Sequence, residues 1–95
     1  RPYASYTLGE VLLRLGQYHD AGEAGAAAFT ALRIPALAVQ VARAAAALDD
    51  RATMLGWLRA ARTAAPVGMS FDGTLDAPEF ERFRHDPELA SVLSA

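Results

Sequence analysis

The sequence predicts an all-α chain of two antiparallel helix hairpins, followed by a loop and one or two short capping helices. Three observations carry that expectation. Apolar residues recur at spacings of three and four in four successive segments, and no segment alternates as a strand would. Helix start and stop residues fall between those segments. The chain also matches itself at an offset near 33 residues.

The first helix is expected over about Tyr3 to Leu15, with Leu8, Val11, Leu12 and Leu15 at the helical period and Gly16 as the stop. The second runs from about His19 to Leu32. Asp20 suits the positive end of its dipole, and Ala21, Ala24, Ala28 and Leu32 form a face of mostly small residues. Pro35 opens the third helix at the first-turn position, where a missing N–H costs nothing. That helix extends to about Leu48. Asp49 and Asp50 make the next turn, with Asp50 as N-cap. The fourth helix covers about Arg51 to Ala64, with Leu55, Leu58 and Ala61 on one face. The hairpins therefore occupy about residues 3–32 and 35–65.

Residues 66–95 form the remainder. Pro66 and Gly68 break the pattern, and residues 67–75 read as a loop. Asp76 is expected to cap a short helix, with Glu79 three positions on as a capping box and Phe80 and Phe83 turned inward. Asp86-Pro87 is a second start signal, opening a last helix that buries Leu89, Val92 and Leu93.

A repeat of about 34 residues built from paired helices is the tetratricopeptide pattern. The first copy reads Leu8-Gly9, Leu12, Leu15-Gly16, Tyr18, Ala21 and Ala28, and it resembles that family. Small Gly9 and Ala21 would let the two helices of a hairpin touch. In the second copy Asp49 replaces the turn glycine, Arg51 the aromatic and Met54 the small residue. The segment from Leu48 through Trp57-Leu58, Leu75 and Phe83 to Leu93 resembles the closing end of bacterial tetratricopeptide arrays. The resemblance implies that residues 76–95 cap the last hairpin and that Trp57 packs near Phe80 or Phe83. It also implies that the first helix meets upstream chain or a second copy. A start at Arg1 rather than Met is expected of a piece of a longer protein.

Composition narrows the functions. The chain is 53% hydrophobic and 21% charged, too apolar for disorder. It has no cysteine, so neither a disulfide framework nor a thiolate metal site is available, which fits a reducing, cytoplasmic setting. Alanine supplies 22 residues, which favours helices that approach closely. Every basic side chain is Arg, as codon usage in a GC-rich genome would produce. Residues 1–65 carry seven Arg against five acids, and residues 66–95 carry two against six. Without a dense basic stripe there is no electrostatic footing for nucleic acid. No apolar run reaches the length of a membrane span.

Enzymatic readings fail on residue type. Asp72-Gly73-Thr74 resembles the end of the haloacid-dehalogenase phosphatase signature, but Ser70 stands where that family has its nucleophilic Asp. His19 and His85 have no second ligand at helical spacing, so no metal is expected. Asp49, Asp50, Glu79 and Glu81 suit capping and solubility better than acid–base chemistry. No cofactor motif is present. The expected function is protein–protein interaction, as a scaffold or adaptor. By the family's register, the concave groove would be lined by Tyr3, Tyr6, Glu10, Leu13 and Arg14 of the first helix. Val39, Gln40, Arg43 and Ala47 of the third would complete it. Arg14 and Arg43 would meet an acidic peptide or a domain of the parent protein through bidentate bonds. The alternatives are a homodimerisation unit, pairing through the first hairpin, and a regulatory tail of an enzyme or transcription factor.

Overall fold

Two prolines, Pro2 and Pro35, open helices that are counterparts across the repeat. In the computed structural model, which describes residues 2–94, α1 spans Pro2–Arg14 and α3 spans Pro35–Ala47, so both ends are displaced by 33 positions. Their partners α2 (Tyr18–Leu32) and α4 (Arg51–Ala64) start 33 positions apart as well. The α1–α2 and α3–α4 turns repeat the same hydrogen bonds. Gly16 N–H donates to Leu13 O (3.1 Å) and Gln17 N–H to Leu12 O (2.9 Å). Asp49 N–H donates to Ala46 O (3.0 Å) and Asp50 N–H to Ala45 O (2.9 Å). This is the Schellman closure, which needs a left-handed residue. Gly16 takes φ 75° without strain, and Asp49 takes φ 60° in its place. Asp is one of the few side chains that tolerate that region, so the loss of glycine from the second copy leaves its geometry intact.

The caps follow the sequence at two of three places. Asp50 accepts from Thr53 N–H at 3.2 Å, and Asp86 accepts from Glu88 N–H at 3.0 Å at the start of α5 (Pro87–Ser94). Asp76 does not cap. It lies in a 3-10 turn, Thr74–Asp76, and the next element is a 3-10 helix, Pro78–Phe83, whose N-cap is Ala77. Glu79 cannot close a capping box because its carboxylate is held by Arg43 (2.9 Å).

The central helix is α3. It touches α1, α2, α4 and the 3-10 helix. Its buried positions Ala38, Ala42, Ala44, Ala45 and Ala46 explain how one helix can do this, because a methyl group lets neighbours come close on several sides. Gly25 of α2 marks one such approach: a Cβ there would stand 2.7 Å from Val41 Cγ2. The buried stripe of α2 is Ala21, Gly25 and Phe29, one residue round from the alanine face expected.

The end of the chain closes the second hairpin. Phe80 and Leu89 are fully buried against Ala42, Ala46, Met54, Leu55 and Leu58, with Phe83, Val92 and Leu93 packed at the edge. The loop before them is anchored by Phe71, buried with Phe29, Leu37, Ala38 and Ala61. Arg62 lies over the Phe71 ring, 5.6 Å from its centre. Ion pairs clamp the exposed rim. Arg51 binds Asp86 (2.8 Å) and Glu88 (2.8 Å), Arg59 binds Glu88 (2.8 Å) and Arg82 binds Asp49 (3.0 Å).

The clamp makes the cap acid-sensitive. Hydrogen bonds from Arg51 hold the Asp86 and Glu88 carboxyls below their ordinary values of 3.8 and 4.5. A carboxyl depressed in the folded state stabilises above its unfolded value, and that contribution is lost as pH falls through the folded value. Amide hydrogen exchange in α5, corrected for intrinsic chemistry, should therefore rise between about pH 6 and about pH 3, and high salt should mimic part of the change. Unchanged protection would show that the clamp contributes nothing. Among the described residues no helix is long and apolar enough to cross a membrane.

Candidate functional site

The expected groove between α1 and α3 exists as a face, but the protein fills much of it with its own side chains. Gln40 is 1% exposed. Its Nε2 donates to Tyr6 O (2.8 Å) and to Glu10 Oε2 (2.9 Å), tying α3 to α1. Its carbonyl oxygen rests against Gly9 and has no hydrogen-bond partner. A Cβ on Gly9 would collide with this carboxamide. Gly9 thus makes room for Gln40 of α3, where its position in the repeat had suggested pairing with α2 within the first hairpin.

Arg43 is likewise committed. It donates to Glu10 Oε2 through Nη1 (2.6 Å), to Glu79 Oε1 through Nε (2.9 Å) and to Glu79 Oε2 through Nη2 (3.4 Å). Burial acts to lower its pKa, but hydrogen bonding and charge from Glu79, then Glu10, outweigh that and leave it raised. The network joins α1, α3 and the 3-10 helix. Gln40 and Arg43, expected to face a partner, are corrected as free polar groups: the Gln40 amide nitrogen and the Arg43 guanidinium are engaged inside the fold. Leu13 is corrected too. It is 3% exposed and packs with Ala21 and Ala44. Val39 and Ala47 are half-buried. These pairings lie 30 to 36 residues apart in the chain, beyond what helical spacing can signal.

Tyr3, Tyr6, Glu10 and Arg14 of α1 remain accessible to differing degrees. Tyr3 is 85% exposed and Tyr6 40%, Arg14 is exposed, and Glu10 is half-buried in the network. The leucine stripe of α1 lies beside them, and it faces outward. Leu8 is 50% exposed, Val11 48% and Leu15 64%, while Leu12 is half-buried. Periodicity had shown that α1 is amphipathic without showing which face meets the core. Gly9 and Leu13 settle it. The glycine is where α1 can approach α3, so the arc through Ser5, Gly9 and Leu13 turns inward and the stripe is left outside. A shallow concavity lined by Thr7, Glu10, Val11, Arg14 and Leu15 joins the apolar stripe to the polar edge. Arg14 has no ion-pair partner among the described residues.

Residues weighed for chemistry sit apart from one another. Asp72 lies in a turn where its N–H binds Ser70 Oγ at 3.0 Å, with Gly73 at φ 81°. His85 is exposed, and His19 is exposed with Glu23 3.6 Å away. Among the described residues, no three His, Cys, Asp or Glu side chains converge on a point where a metal could sit. Trp57 is half-buried; its ring neighbour is Phe29 of α2 in an edge-to-face contact at 5.7 Å, and it also packs against the cluster that holds Phe80. Comparison with known proteins finds no matching family model, curated protein or solved structure.

Proposed function

We propose that this chain is a protein-docking module of tetratricopeptide-like build that works through the outer face of α1. The observation that carries the reading is the exposed stripe of Leu8, Val11 and Leu15 along α1, which buries only Gly9 and Leu13 against the rest of the fold. Contiguous exposed apolar side chains on a folded domain mark interaction surfaces. Tyr3 adds area at low entropy cost, and the unpaired Arg14 selects a carboxylate beside the partner's apolar side chains. The occupant is therefore a partner helix with a leucine-type stripe and an acidic residue next to it. In this reading the expected acidic partner is kept, and Arg14 alone, without Arg43, meets it.

The test uses a helical probe peptide carrying such a stripe with one Glu beside it. Val11→Glu is expected to weaken binding at least tenfold, about 1.4 kcal/mol. Because Val11 is a surface position, folding stability should change by no more than about 0.5 kcal/mol. Equal affinity of wild type and variant would sink the assignment.

A second reading, self-association, is favoured by the spacing of the stripe. Leu8, Val11, Leu12 and Leu15 read the same in both directions, so an antiparallel twin would set Leu8 against Leu15 and Val11 against Leu12, an isologous contact. Light scattering over a concentration series separates the two: a dimer abolished by Val11→Glu selects the second, a monomer that binds the probe the first.

A further inference from the structure

Four glycines lie inside helices, where each is less favourable than Ala. At Gly9 a Cβ would displace the Gln40 carboxamide that ties α3 to α1, and at Gly25 it would collide with Val41. Gly22 and Gly56 have no such neighbour. A Cβ on Gly22 would make an ordinary 3.8 Å contact with Ala44, and one on Gly56 would meet nothing within 4 Å. Both line one feature, the groove between α2 and α4 on the side away from the Arg43 network. The floor is Val41, Ala44 and Ala45 of α3. Two lobes, about 280 and 510 Å³, share Thr53 and Trp57 and meet at the Phe29–Trp57 contact. Leu48, 55% exposed, stands at the rim. The Trp57 indole N–H has no hydrogen-bond partner among the described residues.

The ends of the groove carry opposite charge. Glu23 and Asp50 line the first lobe, and Arg33 lines the second. Arg33 stacks on Phe29, 5.5 Å from the ring centre, and makes no ion pair among the described residues. Tyr18 and Arg33 bound the α2 wall, so its length is about 22 Å at 1.5 Å per residue. That is about four helical turns. Helices favour acids in the first turn and bases in the last. A helix seated here with its N-terminus at Arg33 would satisfy both ends. It would also oppose the dipoles of α2 and α4, whose N-termini lie together at the Glu23 and Asp50 end.

We propose that the α2–α4 groove seats a four-turn amphipathic helix of a partner protein, antiparallel to α2, with an acidic first turn at Arg33 and a basic last turn at Glu23 and Asp50. Gly22 and Gly56 keep the walls low so that its backbone can come close, and Trp57 is the anchor beneath it. This surface is separate from the α1 face and does not depend on it.

Trp57 is the only tryptophan and serves as the reporter. The probes are a panel of tryptophan-free 15-residue helices with Glu in the first turn, Arg in the last, and Ala, Leu, Met or Phe varied along one face. At least one member should change Trp57 emission saturably, and exchanging its terminal charges should weaken it tenfold or more. Gly56→Leu places a side chain in open space, so the variant should fold and melt at or above the wild-type temperature while losing the probe. Val11→Glu should bind it as wild type does. The proposal is overturned if no panel member binds, if the charge-exchanged peptides bind equally, if Gly56→Leu binds unchanged, or if Trp57 emission follows self-association of the chain alone.

Discussion

Phe80→Ala is expected to remove about 3–5 kcal/mol of folding stability, the usual cost of emptying a fully buried aromatic site. Phe80 is 0% exposed and packs with Met54, Leu55 and Leu58 of α4 and with alanines of α3. Those alanines cannot reach into the space it leaves, because each is already at its minimum size and held by helix backbone. The cavity would therefore persist rather than collapse. A chain of this length is stable by roughly 5–14 kcal/mol, so one substitution in a six-residue 3-10 helix would remove a large share. Urea unfolding followed by circular dichroism measures it. A loss below about 1 kcal/mol would mean that the segment after the loop decorates the second hairpin rather than completing its core.

Arg43→Ala comes second, at about 2–4 kcal/mol. The side chains involved are 16% exposed for Arg43, 9% for Glu79 and 28% for Glu10. Removing the cation leaves two carboxylates from different elements facing one another with little water. Their desolvation then goes uncompensated, and their charges repel. A triple variant, Arg43→Met with Glu10→Gln and Glu79→Gln, should recover most of the loss, because the charge is removed together with its partners. If Arg43→Ala unfolds at the wild-type midpoint, the network contributes no net stability and the residue would again be available for a ligand.

These two predictions locate the boundary between what spacing reveals and what packing decides. The pair of hairpins was legible because each signal is local. Pro35 fits the first turn of a helix, Asp50 and Asp86 accept from N–H groups two or three residues on, and Gly16 takes a left-handed turn. The self-match near 33 residues predicted an equivalent turn at Asp49, and the hydrogen bonds there repeat those of the first turn. Phe71 was missed because one aromatic in an aperiodic loop gives no pattern. Asp76 misled because the capping-box spacing does not show that Glu79 has a stronger partner 36 residues away.

The candidate surfaces divide in the same way. Tyr3 and Arg14 were expected in the groove from the family's register, and both are exposed. Gln40 and Arg43 satisfy the same register, yet they are consumed by Tyr6, Glu10 and Glu79. Periodicity found the leucines of α1 and assigned them no direction. By itself, then, the sequence determined the helices, their turns and their repetition, because those depend on neighbours within about five residues. Only the tertiary structure decided which polar residues remain free and which face of α1 is outside. Those outcomes depend on contacts between segments some 30 residues apart, and on a single glycine that dictates how closely two helices can meet.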